Sequence, residues 1–171
     1  MRFSFKPGTA DDAVALAALH TAVSDHLTRQ HGLGPWSSKT SEKGVQYAMR
    51  TSRVFVARVE NEIVATLRLA TKKPWAIDTN YFTVCRRPLY LLAMAVTPTW
   101  QRQGIGKRCL EEAVEIAKAW PSDAIRLDAY YAAAGAGPFY VRCGWTEVGR
   151  VVYRNTPLIY YELCLTKPEF L

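Results

Sequence analysis

The sequence predicts an α/β (α+β) fold of six to seven strands and about four helices, and three features predict it. The first is a strand, tight glycine turn and helix in succession over Leu89 to Trp120. The second is a pair of apolar runs, Arg53 to Val59 and Ile63 to Leu69, split by the polar Glu60-Asn61-Glu62, which reads as a hairpin. The third is a C-terminal half in which short strand-like runs alternate with a small-residue loop and a short helix. No internal repeat, low-complexity tract or long linker interrupts the chain, so one domain over 1–171 is expected, a length that can bury a sizeable core.

From the N-terminus, Arg2 to Lys6 alternates around Phe3 and Phe5 as a short strand, and Pro7-Gly8 turns the chain. Thr9 to Asp12 offers capping groups for a helix from Ala13 to Leu27, whose apolar stripe is Leu16, Leu19, Val23 and Leu27. Arg29 to Ser41 is rich in breakers and reads as a loop carrying Trp36. Glu42 to Arg50 is a second short helix. Lys72 to Arg87 has no clear period and holds Trp75, Tyr81 and Phe82; it reads as a long connection packed by its own aromatics.

Leu89 to Val96 is an apolar strand, broken by Thr97-Pro98-Thr99-Trp100. Arg108 to Trp120 is helical, with Leu110, Ala113, Val114 and Ala117 on one face and Pro121 as its stop. Ala124 to Tyr130 is a strand, Pro138 to Cys143 a short helix closed by Gly144, and Trp145 to Arg150 and Leu158 to Leu165 are the last strands around a turn at Asn155-Thr-Pro157.

Composition bounds the chemistry. Apolar residues make up 49% and charged residues 22%, ordinary for a globular chain, with a net charge of +7. That surplus suits an anionic ligand. The basic residues are scattered rather than gathered in a tract, which argues against a nucleic-acid module. Cys85, Cys109, Cys143 and Cys164 form no C-x-x-C pair, and His20 and His26 do not share a helix face, so neither disulfides nor a metal is expected. No leader and no membrane-length apolar run stands in the sequence, and a cytoplasmic protein is the expectation.

The chemistry-bearing stretch is Gln101-Arg102-Gln103-Gly104-Ile105-Gly106-Lys107, between the strand and its helix. A helix start presents about four backbone N–H groups without intrahelical partners and roughly half a positive charge. A pyrophosphate fits there if backbone can approach it closely, which Gly104 and Gly106 permit and Arg102, Lys107 and Arg108 favour. The P-loop pattern fails because Arg108 follows Gly106-Lys107 and no glycine stands five residues earlier. The dinucleotide pattern fails because position 109 is cysteine.

What does match is [QR]-x-x-G-x-[GA] directly after an apolar strand, followed by Phe139-Tyr140-x-x-x-Gly144-Trp145. In both motifs the chain resembles the GCN5-related N-acetyltransferases (GNAT), from roughly Val54 onward. The resemblance implies the GNAT fold, in which the strands form a central, mixed, mostly antiparallel twisted sheet flanked by the helices. It implies an acetyl-CoA-dependent N-acetyltransferase, in which a primary amine of a small molecule or peptide attacks the thioester directly in a ternary complex. Met94, Ala95 and Val96 would pair with the pantetheine arm, and Gln101, Arg102, Gln103, Gly104, Ile105, Gly106 and Lys107 would hold the pyrophosphate. The N–H of Val96 would face the thioester oxygen, and Tyr140 would be the general acid for the departing thiolate. Its partners would be acetyl-CoA and an amine acceptor, with neither nucleic acid nor membrane, in a monomer or homodimer.

The chain also departs from that family's pattern. The acidic residue expected shortly before the Ala-Val pair is replaced by Leu92 and Ala93, and a frequent Asn is Ala133. A base would have to come from Glu162, Asp128, Asp78 or His31, or from water. Trp36, Trp75, Tyr81 and Phe82 are the candidate walls of an acceptor site. The missing acid motivates an alternative: a catalytically silent acyl-CoA-binding sensor.

Overall fold

The computed structural model describes residues 1–166. Seven strands form one mixed sheet: β1 (Phe3–Pro7), β2 (Arg53–Val59), β3 (Glu62–Ala70), β4 (Pro88–Val96), β5 (Ala124–Tyr130), β6 (Thr146–Tyr153) and β7 (Thr156–Cys164). Their order is β1-β2-β3-β4-β5-β7-β6. Neighbours β1–β2, β2–β3, β5–β7 and β6–β7 run antiparallel, whereas β4 runs parallel to β5 through Pro88–Tyr90 against Ala124–Arg126. Four helices accompany them: α1 (Ala13–His31), α2 (Glu42–Thr51), α3 (Ile105–Ala119) and α4 (Gly137–Arg142). Contacts divide the chain into two compact units, Met1–Ala70 with Leu92–Glu112, and Thr71–Leu91 with the chain from Ala113 onward.

In the first unit, α1 and α2 cover one face of the β2–β3 hairpin. Their core joins Ala13, Leu16, Val45, Val54 and Val56, with Ala48, Met49 and Ile63 packed against it. Helix α1 starts where Asp12 accepts from the Thr9 amide at 2.9 Å. It runs one turn past the expected Leu27 and stops at Gly32, whose φ of 80° few side chains tolerate and whose N–H reaches Thr28 O at 2.9 Å. The loop expected from Arg29 therefore begins only after His31. Ser41 caps α2 by accepting from Gly44 N at 3.1 Å. Strand β4 bends at Ala93, a non-glycine residue at φ 50°.

In the second unit, the long connection carries a short 3-10 turn at Thr79–Tyr81, capped by Asp78. It is pinned to β7 by Tyr160, whose hydroxyl donates to Ala76 O and accepts from Asp78 N. Phe82 tilts against the same ring, 5.2 Å between centroids. The asparagine-proline turn expected at 155–157 is tighter than foreseen. The turn falls on Arg154 and Asn155, both at positive φ, and Pro157 already pairs with Val152 in the β6–β7 ladder.

Candidate functional site

The linker between β4 and α3 takes the form that phosphate binding needs. Thr97 N reaches Val64 O at 2.8 Å, and a 3-10 turn over Pro98–Trp100 reverses the chain. The Gln101 side chain folds back and donates to Val96 O at 3.0 Å, which ties the loop to the end of its strand. Gln103 similarly donates to Thr99 O at 2.9 Å. These two glutamines hold the loop rather than extend from it.

Arg102 and Gly104 follow at φ 60° and 83°. Past Gln101, the next amide to reach a backbone carbonyl outside a helix or strand is that of Arg108, on Gly104 O at 3.1 Å. The N–H groups between them find no such acceptor among the described residues, and residues 102–104 are exposed. This is an anion cradle in form: a glycine-opened turn, free N–H groups and the positive end of α3. The helix begins at Ile105 rather than at Arg108, so Gly106 and Lys107 belong to its first turn. Of the nearby cations, Arg102 and Lys107 are exposed, Lys107 only 4.0 Å from Glu111, whereas the Arg108 guanidinium lies 4.0 Å over the Phe3 ring. A diphosphate therefore fits the residues present.

Tyr140 lies in α4 at 6% exposure, between the rings of Phe139, Trp145 and Tyr161. Burial first, then the Asp128 carboxylate, pushes its phenol well above the usual range. Asp128 is half-buried on β5, and burial raises its own pKa. Its backbone pairs with Tyr160 in the β5–β7 ladder, whereas its carboxylate makes no hydrogen bond or ion pair among the described residues.

Glu162 is placed differently. It is 5% exposed, and its carboxylate accepts from Thr83 N at 3.2 Å and from the Thr83 hydroxyl at 2.5 Å. The ladder sets it opposite Arg126, whose guanidinium donates to Thr83 O at 2.7 Å and to Tyr90 at 3.3 Å. Glu162 thus anchors the long connection. His31 is exposed at the end of α1. Asp78 is exposed and caps its 3-10 turn, with Oδ1 accepting from Asn80 N.

The four aromatic wall candidates separate. Phe82 is buried, with Arg126 stacked 5.1 Å above it. Trp36 packs on its own loop: its indole N–H donates to Gly32 O and its carbonyl accepts from Ser24. Trp75, at 82% exposure, and Tyr81 line a surface depression of about 400 Å³ together with Asp78, Val151 and Tyr160.

The first unit holds a second, smaller cavity of about 160 Å³, between α1, α2 and the sheet, lined in part by His20, Thr66, Arg68 and Ala93. Sequence reasoning passed over it. Arg68 sits among the apolar residues of β3 and His20 on the stripe side of α1. A charged residue in an otherwise buried strand was the available signal.

Residues 20–145 match the family model described as acetyltransferase (GNAT) family. No curated protein matches the chain in sequence. Among solved structures, the ribosomal-protein-S18-alanine N-acetyltransferase of Escherichia coli superposes with a TM-score of 0.71 at 17% identity, covering 99% of each chain. An N-acetyltransferase of Staphylococcus aureus Mu50 gives 0.70 at 13%, covering 97% of this chain and 100% of the other. The protein yncA of Salmonella typhimurium, solved with its cofactor acetyl-CoA, gives 0.69 at 13%, covering 98% and 96%.

Proposed function

The chain belongs to the acetyltransferase (GNAT) family, and on that premise we propose that it moves the acetyl group of acetyl-CoA to a primary amine of a small molecule or peptide, by direct attack in a ternary complex. The observation that carries this reading is the loop 101–107, exposed at 102–104, opened by Gly104 at φ 83° and followed by the bare start of α3. In this reading Arg102, Gly104, Ile105, Gly106 and Lys107 hold the pyrophosphate, with Gln101 and Gln103 bracing the loop. Met94, Ala95 and Val96 align the pantetheine arm as an added strand would, and the Val96 N–H faces the thioester oxygen. Bound acetyl-CoA supplies the activated acyl group. Orientation of both reactants provides a large share of such a rate enhancement.

Proton handling falls to Asp128 and Tyr140 in this reading. Asp128, whose carboxylate makes no hydrogen bond among the described residues and whose pKa burial raises, is the base we favour. Tyr140 is the acid. Its raised pKa keeps it loaded but makes it a reluctant donor. Part of that reluctance comes from the Asp128 charge, so a proton accepted by Asp128 lowers the barrier to release from Tyr140. Base and acid thereby act in sequence.

Isothermal calorimetry with acetyl-CoA tests the cofactor half, with saturable binding expected at micromolar to low-millimolar concentrations. An absence of heat across that range removes the reading. The sensor alternative retains one observation in its favour: Leu92 and Ala93 carry no acid and Glu162 is engaged by Thr83. An amine panel read by free thiol release separates the two, since a sensor binds without turnover.

A further inference from the structure

The 160 Å³ cavity of the first unit is lined by His20 of α1, Thr40, Gly44 of α2, Thr66 and Arg68 of β3, and Ala93 of β4, with apolar side chains between. An apolar cavity of about 150 Å³ accommodates a benzene-sized molecule, so this one holds a fragment of a few heavy atoms.

The polarity of its wall is one-sided. Arg58, Arg87 and Arg150 each sit on a carboxylate, that of Asp12, Asp123 and Glu147. Arg68 is half-buried and meets no carboxylate among the described residues; its hydrogen bond goes to the Ser52 hydroxyl, at 3.5 Å. Burial pushes its pKa down, and the Tyr47 phenol works in the opposite direction. His20 is pressed toward its neutral form by burial and by Arg68. His20 and Thr40 make no side-chain hydrogen bond among the described residues, whereas the Thr66 hydroxyl is committed to Phe55 O at 2.8 Å. A partly desolvated guanidinium without an anion is costly to the folded state. A planar carboxylate is its best complement, offering two parallel hydrogen bonds.

We infer that this cavity is the acceptor pocket and that it selects amines which also carry a carboxylate, free amino acids being the simplest members, with Arg68 as the residue that sets this specificity. The inference rests on the acetyl-transfer reading above for the word acceptor, though not for the anion. Its geometry supports the link, because Ala93, on the cavity wall, directly precedes Met94, to which that reading gives the pantetheine arm. In this proposal an acid seated on Arg68 turns its amine toward the wall that Ala93 contributes. One guanidinium beside a neutral imidazole matches a singly charged group better than a phosphate dianion. Peptide N-termini, whose nearest carbonyl is an uncharged amide, are disfavoured.

The test pairs each L-amino acid with its own carboxamide, on the wild-type protein and on Arg68→Met and Arg68→Lys. Turnover is read by thiol release and binding by thermal shift. At least one acid is expected to exceed its amide by tenfold or more in kcat/KM and to raise Tm where the amide does not. Arg68→Met is expected to bring that ratio near one with the acetyl-CoA Kd unchanged, and Arg68→Lys to retain part of it. Because the guanidinium has no carboxylate partner among the described residues, Arg68→Met should hold or raise the ligand-free Tm; a merely structural arginine would lower it. If no acid outperforms its amide in either assay, or the preference persists in Arg68→Met, the inference is overturned. If acetyl-CoA gives no heat in calorimetry while acids still shift the Tm of wild type and not of Arg68→Met, the transfer reading falls and the anion pocket stands.

Discussion

In the proposed reaction Gly104 and Tyr140 work by opposite means, one through the absence of a side chain and the other through a single oxygen. A Cβ at Gly104 would meet nothing within 4 Å, so Gly104→Ala is not a steric clash. Its cost is the φ of 83°, roughly 1–2 kcal/mol for an L-residue. Such a cost lowers Tm by about 2–4 °C per kcal/mol in a chain of this size. A relaxed φ would also swing the amides of the first helical turn, so the acetyl-CoA Kd is expected to rise several-fold by calorimetry. Unchanged affinity with a lowered Tm would confine Gly104 to a folding role. Tyr140→Phe keeps the ring against Trp145 and Tyr161 and removes the hydroxyl. If Tyr140 is the acid, kcat falls by about 10²–10⁴ with Kd unaltered, and Asp128→Asn combined with it adds less than its separate effect. If the ring is only packing, kcat stays and Tm alone moves.

Among the elements, β4 bears the strongest local contradiction. Its residues are apolar and extended on either side, yet Ala93 stands at φ 50°, a conformation that disfavours β-branched residues strongly. Ala93→Val is therefore expected to destabilise the protein by roughly 1–3 kcal/mol, read as a drop in the urea midpoint at constant m. Ala93→Gly should be neutral or slightly stabilising. A valine tolerated without loss would mean that the bend is soft. The same strand shows what the sequence could and could not disclose. The β2–β3 hairpin, the β4 run and the buried stripe of α3 follow from periodicity, because each buries one face and repeats at the period of its own backbone. The start of α3 was legible only in outline. Gly106 has poor helix propensity, which moves the predicted boundary to Arg108, while the turn at Gly104 already launches the helix at Ile105. The bend at Ala93 had no signal, since alanine fits almost any pattern. The pairing of Glu162 with Thr83 joins residues far apart in sequence and is invisible to local spacing. Trp75 and Phe82 look alike in sequence, yet one is 82% exposed and the other 6%. Only the packing around Tyr160 distinguishes them.

For the whole molecule, stability is bounded on both sides of neutral pH by groups that the fold keeps uncharged. On the acid side, His20 has a folded pKa below its ordinary value of about 6.5, through burial and the Arg68 charge. Its contribution is present above that ordinary value and is lost as pH falls through the lower, folded one, because the unfolded chain then binds the proton that the native state refuses. On the alkaline side, Cys109 is fully buried in α3, and burial, then the Glu112 charge, pushes its thiol from 9.0 up to about 12. The unfolded thiol ionises first. Stability from this group is intact below pH 9 and declines between 9 and 12, by up to about 1.4 kcal/mol per pH unit. The phenols of half-buried Tyr130 and buried Tyr140, also raised, extend the decline above about pH 10. Urea midpoints taken from pH 5 to pH 10.5 should therefore form a plateau near neutrality with a fall at each end. Cys109→Ala is expected to lower the plateau slightly, by the contacts its sulfur makes, while flattening the fall between pH 9 and 10.5. His20→Asn should flatten only the acid limb, and Arg68→Met should soften that limb by removing the like charge beside His20. If Cys109→Ala left the alkaline slope unchanged, the thiol would not be the group being held neutral, and the decline would belong to the tyrosines.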